Sequence, residues 1–240
     1  MVNGKSAFKV KMGIAMMGVV LMVLAGCGSV PREMASPNET VPLVQQAVDR
    51  YVLSYKSPPV KVRQNETDEY ARYPVDFRLL MQTLQLSAIP NNAYDHGGPY
   101  YYVLLPTHEG WKVKLIEMAI WQAVSDIQDK AEAYRKQTGR IPAGEKYADG
   151  LYRLDAKALG LTEDRVRSVY SPQMLPLLIS EEGSVVIDYA FEIMRKVQSM
   201  AYDFPVLPDM RDLLIRDSHL LPVHSLPYKW ANDEPVISAR

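Results

Sequence analysis

Two Glu-Gly dipeptides, Glu109-Gly110 and Glu182-Gly183, each sit between short apolar, β-prone runs, and each second run leads directly into a helical pattern. Glycine supplies the positive φ that a tight reversal needs. Residues 100–105 and 111–116 are therefore predicted to pair as one antiparallel hairpin, and residues 175–179 and 184–189 as another. After the first hairpin, Ile116, Ile120, Val124, Ile127, Ala131 and Tyr134 recur every three or four residues and predict a long helix that stops at Gly139 and Pro142. After the second, residues 190–200 predict another. A hairpin that feeds a helix, met twice, points to an α+β fold: antiparallel hairpins with helices covering one face of the sheet.

Elsewhere the pattern is weaker. Thr40 is a plausible helix cap, with Pro42 in the first turn, and Val44, Val48, Tyr51 and Tyr55 form a stripe that Ser57-Pro58-Pro59 ends. Residues 75–86 suggest a short helix that stops near Pro90. Beyond Asp203 prolines become frequent, a short helical stretch covers 210–217, and residues 220–240 are expected to be extended. The segment Tyr73-Pro74-Val75-Asp76 to Leu80 matches Tyr152-Arg153-Leu154-Asp155 to Leu159 at an offset of 79. Leu104-Leu105, Glu109-Gly110 and Val113 match Leu177-Leu178, Glu182-Gly183 and Val186 at an offset of 73. These agreements suggest a weak tandem helix-loop-hairpin repeat, 40–117 and 118–190, with a Pro-rich segment 203–240 whose Phe204-Pro205 opens a degenerate third copy. Chance agreement among common hairpin residues is the plainer explanation.

At the amino end, Lys5, Lys9 and Lys11 stand without an acidic neighbour before a run of apolar residues from Met12 to Leu24. That run has the length of a signal-peptide core and is short for a membrane span. It closes on Leu24, Ala25, Gly26 and Cys27, the only cysteine of the chain. The segment resembles a bacterial lipoprotein signal peptide with its lipobox. The resemblance covers residues 1–27 and implies diacylglyceryl transfer to the Cys27 sulfur, cleavage before it, and attachment to the membrane through acyl chains. Residues 1–26 are then the signal peptide, 27–39 the lipidated cysteine with a flexible tether, and 40–240 an extracytoplasmic domain. The resemblance places the protein on the extracytoplasmic face of the cell membrane, or in the outer membrane if the host has two.

Without its leader the chain loses three lysines and no acids, leaving 24 basic against 28 acidic residues. That balance argues against nucleic acid as a partner and against a polybasic membrane patch. With Cys27 committed to lipid, no intrachain disulfide is available, so the fold must rest on core packing.

Nucleophile-elbow, phosphate-loop, dinucleotide and His-Glu-x-x-His patterns are absent, and no cofactor is expected. The best metal or acid–base candidates are Asp217, His219 and His224, since two imidazoles and a carboxylate make a three-ligand set. The spacing of the histidines puts them on opposite faces of a strand unless Pro222 turns the chain, and surface or hydrogen-bonded histidines are the plainer reading. Tyr100, Tyr101 and Tyr102 are consecutive, so a strand shows them on both faces and at least one is expected to be exposed. With Trp111 and Trp230 they are interface candidates, the alternative being half-buried hairpin residues. Trp121, beside the helix stripe, is expected in the core. These residues favour a non-catalytic binding or assembly module with an envelope protein as partner. The alternatives are an envelope enzyme joining His96 or His108 to the C-terminal His/Asp cluster, and a transporter-associated solute-binding lipoprotein.

Overall fold

The structure, a computed structural model, describes residues 33–61, 63, 66, 68–201 and 203–238. The leader, Cys27 and the tether up to residue 32 lie outside the described residues. Among the described residues no helix is long and apolar enough to cross a membrane. The buried residues run from Thr40 to Pro235, so the compact unit that begins at Ala35 carries its own core.

Helix α1 (Pro37–Tyr55) begins three residues before the expected Thr40 cap. Ser36 is the cap instead: its hydroxyl accepts from the Asn38 amide, and Pro37 takes the first position, where a missing N–H costs nothing. Pro42 consequently lies inside the helix. Residues 37–39, expected in the tether, are helical. Val41, Val44, Ala47, Val48 and Tyr51 form the buried stripe of α1. It packs against hairpin β1 (Tyr100–Thr107) and β2 (Gly110–Glu117), whose register pairs Leu104 with Val113. Between helix and hairpin lie a short α2 (Phe77–Gln82), shorter than the expected 75–86, and two 3-10 turns, Glu69–Ala71 and Tyr94–His96.

Helix α3 (Met118–Thr138) follows β2 without a break and ends at Gly139, whose φ of 71° closes it in the left-handed region. Ile116, counted in the helical stripe by its spacing, belongs to β2. Five strands come next: β3 (Ala143–Ala148), β4 (Leu151–Leu154), β5 (Arg165–Arg167), β6 (Met174–Ser180) and β7 (Val185–Ile187). All pairings are antiparallel, with β6 joined to β4, β5 and β7. Helices α4 (Ala190–Ser199) and α5 (Asp212–Arg216) follow. The tail, expected to be merely extended, folds into a third hairpin, β8 (Tyr228–Ala231) and β9 (Glu234–Ile237). Asn232 and Asp233 both have positive φ at its turn, as a type I′ reversal requires.

The first two helix–hairpin units make equivalent hydrogen bonds. On α1, the Gln45 amide donates to the Trp111 carbonyl (2.8 Å) and accepts from the Val113 amide (2.7 Å). On α3, the Gln128 amide donates to the Gly183 carbonyl (3.0 Å) and accepts from the Val185 amide (2.7 Å). Asp76 caps the Leu79 amide, as Asp155 caps that of Ala158, both at 3.1 Å. The Asp76 and Asp155 amides donate to Pro59 and Pro142. In each unit a helical glutamine thus occupies the outer edge of the second strand, closing groups that would otherwise be free to pair with another chain.

The remaining edge positions are taken by a strap, residues 218–224. It lies parallel to β2, where the Leu115 amide donates to His219 and Leu115 accepts from Leu221. It then reaches β7, where Ile187 donates to the His224 carbonyl at 2.7 Å. Val103, Ile116, Ile215, Leu221 and Val223 form the apolar layer at this junction, with Trp121 packed beside them.

Candidate functional site

The three C-terminal candidates take separate positions, Asp217 at the end of α5 and the two histidines along the strap. Asp217 is exposed and paired with Lys196 on α4, which holds its carboxyl below the usual range. His219 is half-buried; burial, then the charge of Lys114, lowers its imidazole. Lys114 is itself fixed on the carbonyls of Ile215 and Ser218, both at 2.6 Å. His224 lies inside, its ring 4.4 Å from that of Trp121, and burial pushes its pKa down to about 4, a contact with the Trp121 carbonyl opposing this. It is therefore neutral at pH 7, with Nε2 buried. The residue of this segment in the left-handed region is His224, whose φ is 52°. Among the described residues no three His, Cys, Asp or Glu side chains come together as a metal-ligand group. His96 in the 94–96 turn and His108 at the β1–β2 tip are both exposed, outside this cluster.

The aromatic candidates are engaged within the fold. Tyr102 is buried and closes a triangle with Thr40 and Asn92 at 2.7–2.9 Å. Thr40, read as a cap, is instead a member of this internal polar cluster. None of Tyr100, Tyr101 and Tyr102 is fully exposed; the 3-10 turn at 94–96 and Arg63 shield the outward face of the strand. Tyr100 is half-buried, and so is Tyr101, whose hydroxyl accepts from Arg63 at 2.7 Å beneath the guanidinium. Trp111 packs edge-on to Tyr73, and Trp230 edge-on to Phe204.

Sequence reasoning passed over the most organised polar cluster, which gathers residues far apart in the chain. Arg211, 2% exposed, donates to both carboxylate oxygens of Asp209, to Glu69 (2.7 Å) and to the Ser225 carbonyl (3.1 Å), above the Tyr70 ring. Beside it, Asp68 caps the 69–71 turn through the Tyr70 amide and accepts from the His224 amide at 2.6 Å. Burial raises its carboxyl to about 6, the two amides pulling the other way. No local motif announces this cluster, because Asp68 and His224 are 156 positions apart.

Two polar clefts of about 380 and 370 Å³ flank Tyr170. Glu117, Arg167 and Ser168 line the first; Glu192, Arg195, Lys196 and Asp217 line the second. The fully buried Glu192 bonds Ser171 and pairs with Arg195 at 2.8 Å. The volumes suit a small polar ligand. The titratable groups of the second cleft are, however, already joined in pairs.

Residues 37–117 match the model of the YphF family N-terminal domain. The match runs from the first residue of α1 to the last of β2 and so covers the first helix–hairpin unit. No curated protein and no solved structure matches the chain.

Proposed function

We propose that this protein is a lipoprotein held by acyl chains on Cys27 at the extracytoplasmic face of a bacterial membrane, where its folded part serves as a binding or assembly module for an envelope protein. The observation that carries the reading is Leu24-Ala25-Gly26-Cys27, placed after a cationic and then apolar leader and eight positions before Ala35, where the compact unit begins. A short tether to a bilayer is what such spacing provides. Two or more acyl chains hold a protein durably, one only marginally.

Binding rather than chemistry is favoured by how the candidate side chains are occupied. Asp217 faces Lys196, His224 lies against Trp121, and Arg211 is committed to Asp209 and Glu69. The units themselves are a rigid scaffold, with helices locked onto hairpin edges by Gln45 and Gln128.

Intact mass of the protein extracted from host membranes, with crosslinking in the cell, tests both halves. The expected result is a chain that begins at acylated Cys27 and one dominant crosslinked protein. An unmodified Cys27 on a chain recovered in the soluble fraction refutes the anchor. An acylated chain that brings down a metal or small ligand and no protein refutes the binding module.

A further inference from the structure

Helix α2 runs back along the last turns of α1 and is tied to it at both ends. The Asp76 amide donates to Pro59, just beyond α1, at 2.8 Å. At the other end the Arg50 guanidinium donates to the Gln85 carbonyl at 2.6 Å. Two exposed leucines flank that bond, Leu53 one turn after Arg50 and Leu84 next to Gln85: Leu53 is 72% exposed and Leu84 91%. Leu84 is doubly out of place. Its amide bonds Met81 and that of Gln85 bonds Leu80, the pattern of a helix end at which glycine is favoured, and its φ is 58°. A leucine held in the left-handed region and turned to water carries both a backbone and a solvation cost, which points to a use outside the fold.

The charge around these leucines is mostly cationic, with Asp49, one turn before Leu53 and bonded by Gln45, the exception. Residues 50–63 and 77–94 contain no aspartate or glutamate. Lys61 and Arg63 are paired with Asp76 and Glu66. Arg50, Lys56 and Arg78, exposed on the same two segments, have no acidic partner among the described residues. The overall negative charge of the mature chain conceals this local cationic face.

We infer that the Leu53–Leu84 face, rimmed by Arg50, Lys56 and Arg78, docks on an anionic lipid surface. Leucines enter the headgroup–acyl boundary while guanidinium and ammonium groups meet phosphate oxygens. The inference rests on the anchor at Cys27, and the reach is sufficient. Nine residue steps from Cys27 to Ser36 span at most roughly 30 Å. The 19 residues of α1 measure roughly 28 Å. The far end of α1 can therefore touch the bilayer that holds Cys27, which favours lipid over an acidic protein as the occupant.

The test uses residues 35–240, which hold the whole core, sedimented with phosphatidylcholine vesicles with and without phosphatidylglycerol. Binding is expected to the anionic vesicles only and to weaken with salt. Leu84→Gly combined with Leu53→Ser, in a variant that still melts cooperatively and no lower than the parent, is expected to lower binding at least about tenfold. Lys56→Glu with Arg78→Glu is expected to do the same through charge alone. Absence of binding to anionic vesicles overturns the inference, as does equal binding by either variant or by neutral vesicles. Crosslinks from position 84 to an acidic protein in place of lipid, in the full chain in cells, also overturn it. The vesicle assay needs no acyl chain on the protein. Its failure therefore leaves the Cys27 reading standing, and an unmodified Cys27 leaves the vesicle result standing.

Discussion

Replacing Gln45 by alanine removes a donor and an acceptor from the outer edge of β2 in one step. The bonds are 2.8 and 2.7 Å long, and the amide that loses its acceptor belongs to Val113, which is buried. A part-buried hydrogen bond contributes about 1 kcal/mol net, and an orphaned buried amide costs about 1–3 kcal/mol. The Trp111 carbonyl is closer to solvent and regains water, so the loss sums to about 2 kcal/mol. Gln128→Ala takes away the same two bonds at β7 and is expected to cost a similar amount. The two glutamines share no partner, so the double variant should lose about 4 kcal/mol, the sum of the singles. In a domain of this size each single loss lowers Tm by roughly 4–8 °C. Urea denaturation followed by circular dichroism measures all four corners of the cycle at constant m. A Gln45→Ala loss below about 0.5 kcal/mol, the range of ordinary surface changes, would show that water closes the edge as well as the side chain does. Strong non-additivity would show that the units are coupled at these positions.

Other outcomes follow from single features. His224, held down near pH 4, contributes stability that is complete above its unfolded pKa of 6.5 and is lost as the pH falls towards 4. Asp68, raised to about 6, has the opposite sign: its contribution is complete below 3.8 and disappears as the pH rises through 6. His224→Asn should remove the first and leave the second, improving the variant relative to the parent by about 2 kcal/mol between pH 7 and 5; parallel urea profiles at the two pH values would refute this. Leu84→Gly should stabilise by up to about 1 kcal/mol, because relief of a left-handed leucine outweighs the added freedom of glycine; a lower Tm would contradict it. Gly98→Ala places a Cβ 2.1 Å from the Asn92 carbonyl carbon. The Thr40–Asn92–Tyr102 triangle should open, at a cost of about 3 kcal/mol in thermal or urea melts.

What sequence made legible was whatever short-range chemistry decides. Gly110 and Gly183 marked their hairpins, and Gly139 ended α3, because a positive φ is needed at one position and glycine meets it. Two further hairpins carried equally local signals, Asp149-Gly150 between β3 and β4 and Asn232-Asp233 between β8 and β9, hidden by the brevity of their strands. Gln45 and Gln128 were invisible for another reason. A polar residue on a helix belongs by default to the solvated face, and only the approach of a strand edge gives it a partner. The candidate site fared worst, since Asp217, His219 and His224 are close in sequence while the end of α5 and the strap that carry them face a different neighbour at each step. Arg211 has one acidic partner, Asp209, two residues away, but its other, Glu69, comes from 142 residues earlier, so the cluster as a whole left no local pattern.

The strap also fixes when this protein can finish folding. The Leu115 edge is closed by residues made more than a hundred positions later, and Asp68 waits for His224. During synthesis the leading unit must wait with one strand edge bare. Long loops of this kind close slowly. A break anywhere before residue 219 would leave a permanently unfinished sheet, ready to recruit a strand from another chain. Residues 219–224 thus act as a seal on work begun at residue 37, and a product truncated before them should be betrayed by aggregation before any loss of secondary structure.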